Sequence, residues 1–149
     1  MKTGVCVAGV KMFIAVTLMG CSTAMVMNKR LPSEWNISNY EERMADGSAN
    51  SVRDIGSIRF ETNGTGTKSI NFKIIERNIE DYQPFEWKVA EDTVYISGTS
   101  HFSRPWTIVN NTAGNQVWKS KDNKLGITYT MVLNKNRPEQ RISQRTGNE

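Results

Sequence analysis

The chain is poor in the groups that most metal, thiol and acid–base chemistry needs. It has two cysteines, Cys6 and Cys21, and a single histidine, His101, in 149 residues. A structural or catalytic zinc site draws three or four ligands from His, Cys and acids at fixed spacing, and that supply is missing. Cys6 lies within the apolar N-terminal segment and Cys21 at its end, so no cysteine is left in the rest of the chain to form a disulfide there. After the first twenty residues no apolar run approaches the roughly 20 residues that a membrane-spanning helix needs. Neither charge sign dominates: 19 Lys and Arg stand against 15 Asp and Glu. That balance is too even for the basic stripe of a nucleic-acid binder, and no nucleic-acid partner is expected. From residue 34 to 133 there is no helical period. What is present is one short apolar segment at the start, then period-two alternation punctuated by turns.

Residues 1–20 carry Lys2 and Lys11 but no acid, then the apolar core Met12 to Met19, then Gly20-Cys21. A basic start, a short apolar core and a small residue before the cut form the secretory pattern. Positive charge stays on the cytoplasmic side, the apolar run enters the membrane, and Gly20 fits a peptidase cleft. Leu18-Met19-Gly20-Cys21 resembles the lipobox of bacterial lipoproteins; Leu18, Gly20 and Cys21 match, while Met19 is larger than the usual occupant. The resemblance implies cleavage between Gly20 and Cys21, a diacylglyceryl thioether on Cys21 and acylation of its amine by chains such as palmitate. Several acyl chains anchor firmly, whereas one alone binds marginally. Ser22 stands where an Asp would imply inner-membrane retention, and Ser22 to Met25 holds no acidic cluster of the kind linked to surface export. The resemblance therefore implies an outer-membrane, periplasm-facing position. Loss of Lys2 and Lys11 would leave 17 basic against 15 acidic residues, and loss of Cys6 would leave no free thiol.

The expected division is a signal peptide over 1–20, a lipidated tether over 21–33, a folded domain over 34–134 and a loose basic tail over 135–149. The tether shows no period and contains Asn28-Lys29-Arg30 and Pro32-Ser33. Trp35, Ile37 and Asn39 alternate with Asn36 and Ser38 in a first strand that continues past Tyr40, and residues 44–50 form a polar connection. Ile58, Phe60 and Thr62 share one face of a second strand, which ends in the turn Asn63-Gly64-Thr65-Gly66. Ile70, Phe72 and Ile74 share a face of a third, and residues 78–84 read as a loop. Phe85, Trp87 and Val89 mark a fourth, and Val94 and Ile96 a fifth after the Glu91-Asp92 turn. Trp106 with Ile108, Val117 with Trp118, and Ile127, Tyr129, Met131 and Leu133 mark the last three.

Eight short strands joined by turns predict an all-β fold, a small up-and-down antiparallel barrel that closes on itself and so removes its own edges; a small two-sheet sandwich is the competing architecture, disfavoured by the sequential turns and the lack of long crossovers. An eight-stranded barrel has an interior just wide enough to be filled by side chains or to hold one small ligand. Trp35, Phe60, Phe72, Trp87, Trp106 and Tyr129 occupy alternating positions and are the candidate ligand-lining residues, although such side chains also serve simply to fill a core.

Residues 34–134 resemble the lipocalin-like lipoproteins common in Bacteroidetes. The resemblance rests on Glu34-Trp35-Asn36-Ile37, on the run from Ile58 to Gly66, and on Phe85-Glu86-Trp87-Lys88-Val89 followed by Val94-Tyr95-Ile96. True lipocalins open with Gly-x-Trp; here Ser33 stands in the glycine position before Glu34-Trp35. The resemblance implies a calycin-type barrel and assigns no particular ligand.

No catalytic set is evident. His101 lies between Ser100 and Phe102 in a stretch that reads as a solvated loop, and adjacency to serine in sequence is not triad geometry. The acidic pairs Glu41-Glu42, Glu80-Asp81 and Glu91-Asp92 would point to opposite faces of a strand, so they read as solubilising charges near turns. Asn63-Gly64-Thr65-Gly66 lacks the Lys-Ser/Thr of a phosphate loop. The expected function is thus non-enzymatic, with no cofactor and no metal: a lipid-anchored module binding a small apolar ligand outside the cytoplasm. The alternative is an envelope interaction protein, such as a periplasmic inhibitor or assembly factor.

Overall fold

The computed structural model describes residues 23–135. The alternating segments become strands: β1 (Ser33–Arg43), β2 (Ala49–Phe60), β3 (Thr65–Ile74), β4 (Arg77–Asp81), β5 (Phe85–Ala90), β6 (Thr93–Ser97), β7 (Pro105–Asn111), β8 (Asn115–Asp122) and β9 (Ile127–Lys135). Consecutive strands pair antiparallel with one exception, β4 and β5; these two both pair with β3, and β9 returns to pair with β1. The sheet is thereby closed, an up-and-down barrel without crossovers.

The ninth strand is half of an interrupted one. β3 pairs with β5 at Gly66 and Phe85, and with β4 at Ile70 and Asp81. Four residues separate the two positions on each side, so β4 and β5 keep one register across the break at Tyr82-Gln83-Pro84. Proline has no N–H to give to a ladder and marks such interruptions. The wall therefore counts as eight strands. The stretch 78–84, expected as a loop, carries ladder bonds to β3 over Arg77–Asp81 because Ile79 and Asp81 face inward at period two.

Two irregularities set which side chains enter the barrel. In β1 the register slips between Ile37 and Asn39 against β9, so Ser38 is an extra residue. A bulge of one residue resets the alternation. The inward face expected to run Trp35, Ile37, Asn39 instead runs Trp35, Ile37, Tyr40, Glu42. In β2, Gly56 sits at φ +134°, and a Cβ there would stand 2.0 Å from the Ser69 carbonyl oxygen. Only glycine lets β2 bend that closely onto β3.

The segment expected as a patternless tether is helical over α1 (Thr23–Arg30). Its apolar residues do not repeat along a stripe, which is why no period was visible. Burial comes instead from Met27 and, just beyond the helix, Leu31, both fully enclosed. Arg30 Nη1 donates to the Asn111 carbonyl (2.9 Å) and side-chain oxygen (3.2 Å), and the Trp35 indole donates to the Leu31 carbonyl (3.0 Å). The helix stoppers the barrel end formed by the starts of β1 and β8 and the end of β7. Lys29 and Arg30 in its last turn complement the helix dipole. Gly20 and Cys21, and the tail beyond Lys135, lie outside the described residues.

Candidate functional site

The six aromatics singled out from the alternation all face the interior and are buried. They do not form one surface. Near α1, the Phe60 ring meets Trp87 (5.5 Å) edge-on, and the Trp87 indole donates to the Thr65 carbonyl (2.9 Å). Trp35 lies beside them on the same end. At the opposite end Phe72 and Tyr129 both pack on Tyr40, at 5.3 and 6.3 Å. Trp106 stacks with Phe102 at 6.4 Å and 19°. Tyr40, Phe85, Phe102 and Trp118 belong to the same core and were not singled out.

The end away from α1 is where the polar groups collect. Four connections meet there, and the longest, Gly98 to Arg104, folds into the barrel mouth. Ser100 and Ser103 tie it to itself: the Ser103 amide donates to the Ser100 carbonyl (3.0 Å), and the two hydroxyls are 3.0 Å apart. Arg104 Nη2 donates to the His101 carbonyl (2.7 Å), and its guanidinium lies over the Tyr129 ring at 4.0 Å. The segment delivers His101 and Phe102 inward. Phe102 is fully buried, and the His101 side chain is only 23 % exposed. His101 is therefore not the solvated loop residue that its sequence neighbours suggest.

Beneath this segment lie two ion pairs, one between a buried carboxylate and a half-exposed guanidinium and one sealed on both sides. In the first, Glu42 is fully buried, receives the Arg77 guanidinium and accepts the Tyr40 hydroxyl proton (3.3 Å). Tyr40 oxygen stands 2.6 Å from His101 Nε2. The direction of that hydrogen bond follows the histidine tautomer. Burial, with the Glu42 charge adding to it, raises the Tyr40 pKa, so the phenol stays neutral and keeps its proton. Burial and then the Arg104 charge hold the His101 pKa below its ordinary value.

In the second pair, Lys68 Nζ lies 3.3 Å from Asp81 Oδ1, with both side chains essentially sealed from solvent. Lys68 also donates to Ser100 Oγ (2.8 Å), and its ammonium sits 5.0 Å from the centre of the Phe85 ring. Gly66 makes room for that ring: a Cβ on Gly66 would stand 2.2 Å from Phe85 Cζ. Burial lowers the Lys68 pKa, and Asp81 opposes the shift. The Lys68–Ser100 hydrogen bond ties the segment to the barrel wall. Among the described residues, no donor reaches Asp81 Oδ2.

Glu42 and Asp81 correct the view of the acidic pairs as turn charges. In Glu41-Glu42 and Glu80-Asp81 the second member is buried, as alternating strand geometry allows, and that inward member is the one that matters. The signal was available for Lys68, which shares the period-two face of Ile70, Phe72 and Ile74. Glu91 and Asp92 do lie in a turn at the surface. Among the described residues, no three His, Cys, Asp or Glu side chains gather as metal ligands.

No family model and no curated protein matches the chain. Among solved structures, the chain is similar to a redesigned β-barrel bound to DFHBI, at 18% identity and a TM-score of 0.44 over 72% of this chain and 97% of that one. It is similar also to a de novo designed fluorescence-activating β-barrel (13%, TM-score 0.40, covering 74% and 97%) and to a further redesigned β-barrel (13%, 0.41, 74% and 95%).

Proposed function

We propose that the protein is a lipid-anchored, non-enzymatic binding module that faces the periplasm from the outer membrane and takes a small, largely apolar molecule into its barrel. The observation that carries the binding role is the asymmetry of the two barrel ends. One end is stoppered by α1 and held by Met27, Leu31 and Arg30. The other is covered by one irregular segment, Gly98 to Arg104, whose inward side chains are rings. A closed wall with one fixed stopper and one loop-covered mouth is a vessel of the size that holds a single small ligand. The anchor rests on Leu18-Met19-Gly20-Cys21.

Trp106 and Trp118 lie inside the wall and report on its contents. The full chain is titrated with 1-aminoanthracene while tryptophan fluorescence is followed, and native mass spectra are searched for a copurified molecule. Saturable quenching at one site per chain is the expected result. Absence of both saturable quenching and any copurified molecule sinks the ligand reading. The second reading, an envelope interaction module such as an inhibitor or assembly factor, then takes its place; it is favoured by the aromatic packing that already fills the interior.

A further inference from the structure

The sealed Lys68–Asp81 pair is more than a packed barrel requires. Replacing such a pair with apolar residues of similar volume is often neutral or stabilising. The Lys68–Asp81 pair is also incompletely satisfied. A lysine ammonium offers three donors and a carboxylate about four acceptor positions. Lys68 spends two on Asp81 Oδ1 and Ser100 Oγ, and Asp81 Oδ2 meets no donor among the described residues. A buried acceptor left unmade is costly. A donor and an acceptor held side by side, both sealed from water, match a hydroxyl group, which gives one proton and accepts another.

The surroundings specify what carries that hydroxyl. Phe102 fills a ring-shaped space against Tyr40 (5.4 Å), Phe72 (6.5 Å) and Trp106 (6.4 Å). It is brought there by a segment bonded within itself, between Ser100 and Ser103 and between Arg104 and His101, and tied to the wall where the Trp106 indole donates to the Phe102 carbonyl (3.1 Å), Tyr40 meets His101 (2.6 Å) and the Ile96 N–H donates to the Arg104 carbonyl (3.3 Å). Gly98, at φ +137°, starts the segment with a backbone turn that other residues rarely adopt. Ser100, two residues before Phe102, is the group that ties the segment to Lys68. Withdrawal of the segment thus vacates the ring space and frees a second Lys68 donor in one movement.

We propose that the segment Gly98 to Arg104 is a displaceable plug, and that the site beneath it takes a small flat aromatic molecule bearing a hydroxyl group. The ring replaces Phe102, and the hydroxyl lies between Lys68 Nζ and Asp81 Oδ2. This assignment rests on the ligand-binding reading above and names its ligand class.

The test compares 4-fluorophenol with fluorobenzene, followed by fluorine NMR on the full chain. Phe102→Ala removes the plug ring, so it binds 4-fluorophenol about tenfold or more tighter than the wild type, because no ring has to be evicted. In that variant 4-fluorophenol is preferred to fluorobenzene by about tenfold or more, the scale of a hydrogen bond to a charged group. Adding Lys68→Met with Asp81→Leu removes the preference while the apolar replacements keep the wall packed. Asp81→Asn in the Phe102→Ala background serves as a second variant of nearly unchanged shape, and it reduces the preference. If Phe102→Ala binds both probes equally, the hydroxyl assignment falls and the apolar-ligand reading stands. If it binds neither probe, and the wild type shows no saturable quenching by 1-aminoanthracene, both fall together. If the preference survives in the variant lacking Lys68 and Asp81, the pair is not the recognising group and the proposal is overturned.

Discussion

His101 shows how much one residue's environment decides. Its ring faces Tyr40, Glu42, Arg77, Arg104 and, farther off, Asp81. Burial and the two guanidinium groups favour the neutral ring, and the carboxylates of Glu42 and Asp81 oppose them with a smaller effect. In the unfolded chain the same histidine takes up a proton near the ordinary value of about 6.5. Below that pH the unfolded state binds more protons than the folded one, so folding stability falls as the solution is acidified. Above it both states are neutral and the contribution is constant. Urea midpoints measured from pH 7.5 to pH 5 are expected to fall more for the wild type than for His101→Gln. Parallel profiles for the two proteins would show that burial of this ring does not govern the acid response. The histidine itself was plain in the sequence. Its burial was not, because the partners Tyr40, Glu42 and Arg77 come from strands 24 to 61 positions away.

At the scale of elements, α1 and β1 carry the main departures from the expected pattern. The helix has a low apolar periodicity and follows from tertiary contacts: Met27 against Gln116, Arg30 on Asn111, Leu31 under Trp35. Helices this short are marginal alone, and most of their stability comes from packing. Leu31→Ala is accordingly expected to destabilise the whole barrel by about 2–5 kcal/mol, the cost of a buried Leu truncation. Equilibrium denaturation reads this directly. A loss within about 0.5 kcal/mol, the range of a surface change, would mean that the stopper is dispensable. The bulge at Ser38 moved Tyr40 and Glu42 inside where simple alternation put Asn39. Nothing in the local sequence marks that slip, since it is set by register against β9.

For the whole molecule, the closeness of α1 to Cys21 gives the anchoring hypothesis a geometric consequence. Only Ser22 separates Cys21 from the first residue of the helix. A lipid on Cys21 would hold the stoppered end next to the bilayer and leave the Gly98–Arg104 mouth pointing away from it. Expression of the full chain in a bacterium, beside Cys21→Ala, is expected to give a membrane-bound product that begins at a triacylated cysteine, with the variant released from that fraction. Intact mass and fractionation check both. A soluble wild type that retains Met1 would refute the anchor and leave the barrel's binding role to be judged by itself.

Period-two alternation and the Gly-, Asn- and Asp-rich turns by themselves determined an antiparallel all-β chain of about eight strands and favoured an up-and-down barrel over a two-sheet sandwich, because strand geometry puts every second side chain on one face and sequential turns join neighbours; the pairing of β9 with β1 decided closure. They also placed Trp35, Phe60, Phe72, Trp87, Trp106 and Tyr129 inside. Tertiary structure alone decided the character of the mouth. An acid at 42 or 81 reads as a surface charge until a partner from a distant strand makes burial tolerable, and Lys68, although on the inward face of its strand, needs Asp81 for the same reason. A loop such as Gly98 to Arg104 reads as solvent-exposed until the space it fills has been built by the strands around it.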